Sequence, residues 1–79
     1  QEKRQEKVEI ELQSLIRDRI EYFTALANTK HLRFEPDLEN VIIYVDKQKI
    51  TRVIDNLISN AIKYNIRGGT IGIRLRVGR

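Results

Sequence analysis

The sequence predicts a small α/β fold, built as a two-layer α+β sandwich in which two helices cover one face of a mixed β-sheet. Three observations support this prediction: segments with alternating apolar residues, two long segments with apolar residues at helical spacing, and proline or glycine between segments. In chain order they predict strand, helix, strand, strand, helix, strand. All of them fall within 79 residues, which is enough for one small domain.

The first predicted strand and helix follow a polar N-terminus. Residues 1–7 carry no apolar side chain, and we expect a tail or the end of an upstream helix there. Val8, Ile10 and Leu12 then alternate with glutamates, which is the period of a half-buried strand. From Leu12 to about Thr29 the apolar residues recur every three or four positions, which predicts an amphipathic helix.

Two strands are predicted between the helices. The segment HLRFEP predicts a short strand that ends at Pro36, with Leu32 and Phe34 facing inward. Residues 36–40 predict a loop. Residues 41–45, VIIYV, are apolar and mostly β-branched, which is typical of a strand that is covered on both faces.

The second helix is predicted to follow Asp46, a suitable N-cap residue, and to run from about Lys47 to Tyr64. Its predicted apolar face consists of Ile50, Ile54, Leu57, Ile58 and Ala61. Gly68 and Gly69 then interrupt the chain before a last strand with alternating apolar residues. The inward side of that strand consists of Ile71, Ile73, Leu75 and Val77.

Composition excludes several kinds of site. The chain has no cysteine and a single histidine, so we expect neither a disulfide nor a thiolate metal site. No run of about 18 apolar residues is present, and we expect no membrane contact by this segment. The net charge of +4 is compatible with phosphate or nucleic-acid partners but specific for neither. Because the chain begins with Gln1 and has no methionine, we expect it to be a piece of a longer protein.

A polar stripe on the second helix is the feature that indicates function. Asn56, Asn60 and Lys63 lie on one side of the predicted helix, with Lys49 and Arg52 close by. The stripe could be a plain solvent face, because every amphipathic helix has one. Asparagine, however, is a poor helix former, and solvent faces favour glutamate, lysine, glutamine and arginine. Amide oxygens suit Mg²⁺ and an ammonium group suits phosphate, so the stripe predicts a site for a metal-bound phosphate.

The segment VDKQKITRVIDNLISNAIKYN, residues 45–65, resembles the N-box of sensor histidine kinases, in the ATP-binding domain of the GHKL superfamily. The family pattern is an acidic residue after an apolar strand, then a helix that ends in Asn, Leu, an apolar residue, any residue, Asn, Ala, any residue, Lys and an aromatic residue. The matching residues are Asp46, Asn56, Leu57, Ile58, Asn60, Ala61, Lys63 and Tyr64. The resemblance covers residues 8–77 and implies a partial Bergerat-type fold, with residues 8–79 as the N-terminal half of the domain.

The resemblance also implies roles for individual residues. Asn60 would ligate the Mg²⁺ that bridges the phosphates of ATP or ADP, and Asn56 would support that metal through its waters. Lys63 would contact phosphate oxygens. Tyr64 would border the nucleotide near its base and sugar, with plain packing at the helix end as the alternative. The parent protein would transfer the γ-phosphoryl group of Mg·ATP to a histidine, for relay to a response regulator, in the cytoplasmic part of a membrane-anchored bacterial sensor.

Several parts of the family's site are missing from the sequence. The Asp-x-Gly-x-Gly segment that reads adenine, the glycine-rich lid segment and the phosphoacceptor histidine of the preceding helical hairpin are all absent. His31 stands at the start of a predicted strand, and we interpret it as structural. We therefore expect weak nucleotide binding and no kinase activity from this chain alone. Its uncovered apolar faces predict a homodimer or a strand-exchanged oligomer.

Two functions of other classes remain open. The half domain could be a non-catalytic dimerisation or interaction module, although such a module has no use for the polar stripe. The basic C-terminal part could bind nucleic acid through Arg67, Arg74, Arg76 and Arg79. No stacking aromatic residue lies among these arginines, so nucleic acid is the weakest of the three interpretations.

Overall fold

The computed structural model of the chain describes residues 6–78. The elements are β1 (Lys7–Glu11), α1 (Leu12–Asn28), β2 (Arg33–Leu38), β3 (Ile42–Asp46), α2 (Lys47–Lys63) and β4 (Thr70–Leu75). This order confirms the predicted fold class and the predicted sequence of strands and helices. The tail predicted for residues 1–7 falls mostly outside the described residues, and Lys7 opens β1.

The four strands form two hydrogen-bonded pairs, one antiparallel and one parallel, each a two-stranded sheet. Strand β1 pairs with β3 in antiparallel orientation, with Ile10 opposite Ile43. Strand β2 pairs with β4 in parallel orientation, with Phe34 opposite Ile71. Each pair therefore joins segments that are more than thirty residues apart in the chain. Between residues 6 and 78, neither helix combines the length and the apolar character that crossing a membrane requires.

The core lies between the helices and the strands and is entirely apolar within the described residues. Its buried members are Ile10, Leu15, Ile16, Ala27, Leu32, Ile54, Ile58, Ile62 and Ile71. Six of the nine are isoleucine. Because burying one such side chain contributes about 1.5–3 kcal/mol, these contacts are the main stabilising interaction of the fold.

Strand β2 continues through Pro36, although the sequence predicted that it would end there. Hydrogen bonds from Arg33 N to Gly69 O (3.1 Å) and from Glu39 N to Leu75 O (3.0 Å) tie β2 to β4. Backbone groups alternate in direction along a strand, so Pro36, three residues from each donor, directs its nitrogen away from β4. The missing N–H therefore interrupts no hydrogen bond of the pair, and proline is tolerated.

The outer face of β3 is exposed, so the prediction that this strand is covered on both faces was wrong. Ile42 and Tyr44 are 59% and 66% exposed. Ile43 and Val45 pack against the core, whereas the two exposed residues do not. An apolar run does not show how many layers cover a strand or on which face they lie. Within residues 6–78, only one face of β3 is covered.

The apolar face of α2 is rotated relative to the prediction. Ile54 and Ile58 are buried as expected, and Ile62 joins them. Leu57, predicted to face the sheet, is 65% exposed. It lies at the margin of the apolar face, beside the edge of β4, where no further strand supports it in residues 6–78.

Helix α1 ends in a Schellman motif with His31 in the left-handed region, at φ 58°. Leu32 N donates to Ala27 O (3.0 Å) and His31 N donates to Asn28 O (3.1 Å), which are the two hydrogen bonds of this motif. Leu32 and Ala27 are both buried, as the accompanying apolar contact requires. His31 therefore lies in the turn that precedes β2 and not, as predicted, at the start of the strand.

Candidate functional site

The candidate site lies on the exposed side of α2, and a capped N-terminus fixes the start of that helix. The carboxylate of Asp46 accepts hydrogen bonds from Gln48 N (2.9 Å) and Lys49 N (3.3 Å). This confirms the predicted N-cap and satisfies two of the N–H groups that a helix leaves unpaired. The register of every side chain on α2 is set from this point.

Three residues of the predicted site form one exposed stripe on α2. Asn56, Asn60 and Lys63 follow one another at spacings of four and three residues, and all three are exposed. Between residues 6 and 78 no side chain donates to or accepts from the side-chain amide of Asn56 or Asn60. Their amide oxygens are thus not used to hold the described part of the fold together.

Tyr64 lies at the C-terminal end of this stripe. Its side chain is 75% exposed, so the alternative of plain packing does not hold for the described residues. The Lys63 ammonium lies 5.2 Å from the centroid of the Tyr64 ring, within reach of a cation–π interaction. The structure therefore brings all four predicted site residues to one continuous surface, a cation beside two amides and an aromatic ring.

Lys30, a residue that the sequence did not single out, holds the C-terminal end of α2. Its ammonium donates to the carbonyl oxygens of Ile62 (2.7 Å), Lys63 (3.1 Å) and Asn65 (3.0 Å). These are carbonyls that a helix end leaves unpaired, and a cation also interacts favourably with the helix dipole there. The carbonyl of Lys30 in turn accepts from Gly68 N (2.8 Å), which anchors the turn before β4.

The turn between α2 and β4 is built around Asn65. Its side-chain oxygen accepts from Ile66 N (2.8 Å), and its amide nitrogen donates to Thr70 O (3.2 Å). Gly68 has φ +80°, a conformation that favours glycine. At Gly69 a β-carbon would lie 2.5 Å from the Asn65 side-chain oxygen. Both glycines of the predicted break are therefore needed by this turn.

An ion pair on a flank of α2 fixes the helix against α1. Arg19 Nε and Nη2 donate to the two carboxylate oxygens of Asp55, both at 2.7 Å. The guanidinium carbon also lies 4.4 Å from the centroid of the Tyr22 ring. The hydrogen bond to Asp55 raises the pKa of Arg19 above its ordinary value. No periodicity in the sequence identifies this pair, because its members are 36 residues apart.

The donor set of the stripe fits a magnesium-bound phosphate group. Within residues 6–78 no cluster of three or more histidine, cysteine, aspartate or glutamate side chains is present, so a cage made only of such ligands is not available there. Mg²⁺ binds oxygen ligands and usually retains several waters, with phosphates completing its coordination. Asn56 and Asn60 offer exposed amide oxygens, and Lys63 offers a cation for the phosphate charge.

The chain is similar in sequence to known proteins over most of its length. The chain is 39% identical over 70 residues to the sensor histidine kinase WalK of Bacillus subtilis, which covers 86% of the chain and 11% of that protein. It is also 39% identical over 70 residues to the adaptive-response sensory kinase SasA of Synechococcus sp., covering 86% of the chain and 19% of that protein. No family model matches the chain.

The fold is similar to that of solved histidine kinase catalytic domains. The catalytic domain of histidine kinase ThkA superposes with a TM-score of 0.79 at 29% identity, over 91% of this chain and 51% of that domain. Histidine kinase AdeS of Acinetobacter baumannii superposes with a TM-score of 0.74 at 25% identity, over 89% of this chain and 36% of that chain.

Sequence and fold thus agree on one class of protein. The chain has the sequence features and the fold of part of the catalytic domain of sensor histidine kinases, as its N-box indicated. It spans less than a fifth of the length of these two kinases and about half of the solved ThkA domain.

Proposed function

We propose that this chain carries the metal and phosphate half of the Mg·ATP site of a sensor histidine kinase. The observation that carries the proposal is the exposed stripe of Asn56, Asn60 and Lys63 on α2, whose two amide side chains have no partner among the described residues. A bound Mg²⁺ would neutralise phosphate charge. Asn60 would hold that metal directly, and Asn56 would hold it through water.

The remaining site residues orient the nucleotide. The Lys63 ammonium would donate to phosphate oxygens, as lysine does in many phosphate sites. The exposed Tyr64 ring would border the sugar and base next to that ammonium. Lys30 contributes indirectly, because its three hydrogen bonds hold the last turn of α2, from which Lys63 projects.

The reaction belongs to the longer protein of which this chain would be a piece. There, the γ-phosphoryl group of Mg·ATP would pass to a histidine on a helical hairpin domain and then to a response regulator, in the cytoplasm. The chain itself lacks the adenine-reading and lid segments named above. We therefore propose that it binds nucleotide weakly through phosphate and has no kinase activity alone.

One of the four arginines that could bind nucleic acid, Arg76, is paired with carboxylates in the structure. The guanidinium of Arg76 donates to the carboxylate of Asp37 at 2.6 Å and lies 3.8 Å from a carboxylate oxygen of Glu39. An arginine that is already paired with carboxylates has less to gain from a nucleic-acid phosphate.

An NMR titration of the isotope-labelled chain with Mg·ADP tests the nucleotide proposal. We expect saturable shifts at Asn56, Asn60 and Lys63, weakened by omission of Mg²⁺ and lost in Asn60→Ala. Asn40→Ala is the matched control, because Asn40 is also exposed but lies in the loop between β2 and β3. Absence of saturable shifts in the wild-type chain, or equal shifts in Asn60→Ala, would overturn the proposal.

A further inference from the structure

We propose that Arg52 is a specificity-determining residue of the candidate site, whose guanidinium binds the terminal phosphate of Mg·ATP and makes the chain bind Mg·ATP more tightly than Mg·ADP. This inference rests on the proposed function and deepens it. Arg52 lies close to the polar stripe of α2 but has no role in the nucleotide proposal so far.

Arg52 lies one helical turn before Asn56 on the exposed surface of α2. Residues four positions apart in a helix lie one above the other, with β-carbons about 5–6 Å apart. At about 3.6 residues per turn, Arg52 falls between Asp55 and Asn56 around the helix. Because Asp55 is bound to Arg19 of α1, Arg52 lies between that contact and the stripe. Its place beside the candidate site is therefore set by α1 and α2 themselves.

The guanidinium of Arg52 is not used to hold the described part of the fold together. Asp55, three residues later, is the acidic residue of α2, and Arg19 already binds both of its carboxylate oxygens at 2.7 Å. Lys49, three residues earlier, carries the same charge as Arg52. Within residues 6–78 no ion pair includes Arg52. The Arg19–Asp55 pair thus leaves Arg52 available for an external anion.

The order of the site residues along α2 determines which phosphate Arg52 meets. In the proposed function Tyr64 borders the sugar and base, Lys63 binds phosphate oxygens and Asn60 holds the metal. The phosphate chain would then run from Tyr64 towards the N-terminal end of α2. Each step of four residues covers about 6 Å of the helix axis. The phosphate farthest from the base would therefore lie near Asn56, and Arg52 is the next residue in that direction.

An arginine at this position suits the chemistry of a terminal phosphate. A guanidinium presents its N–H donors in one plane and can bind two phosphate oxygens at once. The last phosphate of Mg·ADP is one position closer to Tyr64 than the last phosphate of Mg·ATP. Lys63, next to the base, contacts phosphates that both nucleotides contain. Arg52 therefore distinguishes the two nucleotides, whereas Lys63 does not.

The surface next to Arg52 is open on the side of Thr51 and Asp55. A hollow of about 500 Å³ lies there, lined by Lys47, Gln48, Thr51, Arg52 and Asp55. All five residues belong to α2, so no other element between residues 6 and 78 fills this space. A phosphate bound by Arg52 is accessible from this side, as its transfer to another group requires.

NMR titrations of the isotope-labelled 79-residue chain with Mg·ADP and with the Mg²⁺ complex of the β,γ-imido analogue of ATP test the proposal. We expect the analogue to bind about fivefold more tightly than Mg·ADP. Arg52→Gln should abolish this difference by weakening the binding of the analogue, while the Kd for Mg·ADP stays unchanged.

Arg17→Gln is the matched control for this variant. Arg17 is an exposed arginine of α1 and belongs to no ion pair between residues 6 and 78. The control therefore removes the same charge at a distance from the stripe and should preserve the difference between the two nucleotides.

The side-chain Nε–H resonance of Arg52 provides a second measurement that needs no variant. It should shift when the analogue is added and stay unchanged with Mg·ADP. Equal affinities for the two nucleotides in the wild-type chain, equal weakening of both in Arg52→Gln, or the same loss in Arg17→Gln would overturn the proposal.

The possible outcomes separate the role of Arg52 from the proposed function. If Mg·ADP binds in a manner that depends on Asn60, but Arg52→Gln leaves the binding of the analogue unchanged, the role of Arg52 alone is overturned. If neither nucleotide gives saturable shifts, the role of Arg52 and the proposed function are both overturned.

Discussion

Arg19 and Asp55 join the two helices by a bidentate ion pair, with both N···O distances at 2.7 Å. The two side chains are 23% and 28% exposed, so the pair is partly shielded from water and salt. The Tyr22 ring covers the guanidinium from one side. Asp55 directly precedes Asn56 in α2, so the pair lies on a flank of the helix next to the candidate site and fixes the helix that carries it.

We expect the Arg19–Asp55 pair to contribute about 1–2 kcal/mol of coupling, more than a fully exposed pair, because its geometry is bidentate and partly buried. A double-mutant cycle with Arg19→Met and Asp55→Asn, measured by urea unfolding, gives this coupling energy. Arg17→Met on the exposed side of α1 is the control for loss of a guanidinium. A coupling energy indistinguishable from zero would show that the pair does not contribute to the stability of the fold.

Substitution of Lys30 should loosen the end of α2 at the candidate site. We expect Lys30→Met to lower the free energy of unfolding by about 2 kcal/mol, since three charge-assisted hydrogen bonds to carbonyls are lost. Amide exchange should accelerate in the last turn of α2 more than at its capped N-terminus. Lys47→Met, at an exposed lysine in the first turn, is the control. Equal losses of stability in both variants would contradict the assigned role.

Local patterns in the sequence were sufficient to predict the elements and the stripe. The change of period at Leu12 marks the start of α1, and Asp46 caps α2 as its residue type suggests. A helix also fixes which residues share a face, so the side-by-side position of Asn56 and Asn60 could be predicted. These features depend only on neighbours within a few positions of the chain.

Features that depend on distant segments could not be predicted in the same way. The carbonyls that Lys30 contacts are 32 to 35 residues away in the chain, so the residues next to Lys30 do not predict these hydrogen bonds. The missing N–H of Pro36 predicted the end of β2. The sequence does not show on which side of β2 the partner strand lies, and the nitrogen of Pro36 faces the other side. The burial of β3 and Leu57 was overestimated because apolar composition does not show how far the sheet extends.

The pH dependence of one surface pair has a definite sign. Hydrogen bonding to Arg76 holds the pKa of the Asp37 carboxyl below its ordinary value in the folded chain. A lowered folded-state pKa stabilises the fold above the pKa of the unfolded state, and this contribution is lost as the pH falls through the folded-state pKa. We expect an NMR titration of Asp37 to give a pKa below 3.8, and Arg76→Gln to return it to the ordinary value. An unchanged pKa in the variant would mean that the pair does not persist in solution.

Replacement of His31 should stabilise the chain. His31 occupies the left-handed position of the Schellman motif at φ 58°, where a side chain is strained and glycine is not. We expect His31→Gly to raise the free energy of unfolding by about 1 kcal/mol, because the relief of strain exceeds the entropy that glycine adds to the unfolded chain. His31→Ala separates this effect from loss of the imidazole, since alanine keeps the β-carbon and should bring no gain. Stabilisation of the same size in both variants would show that the imidazole, and not the backbone conformation, is the unfavourable feature.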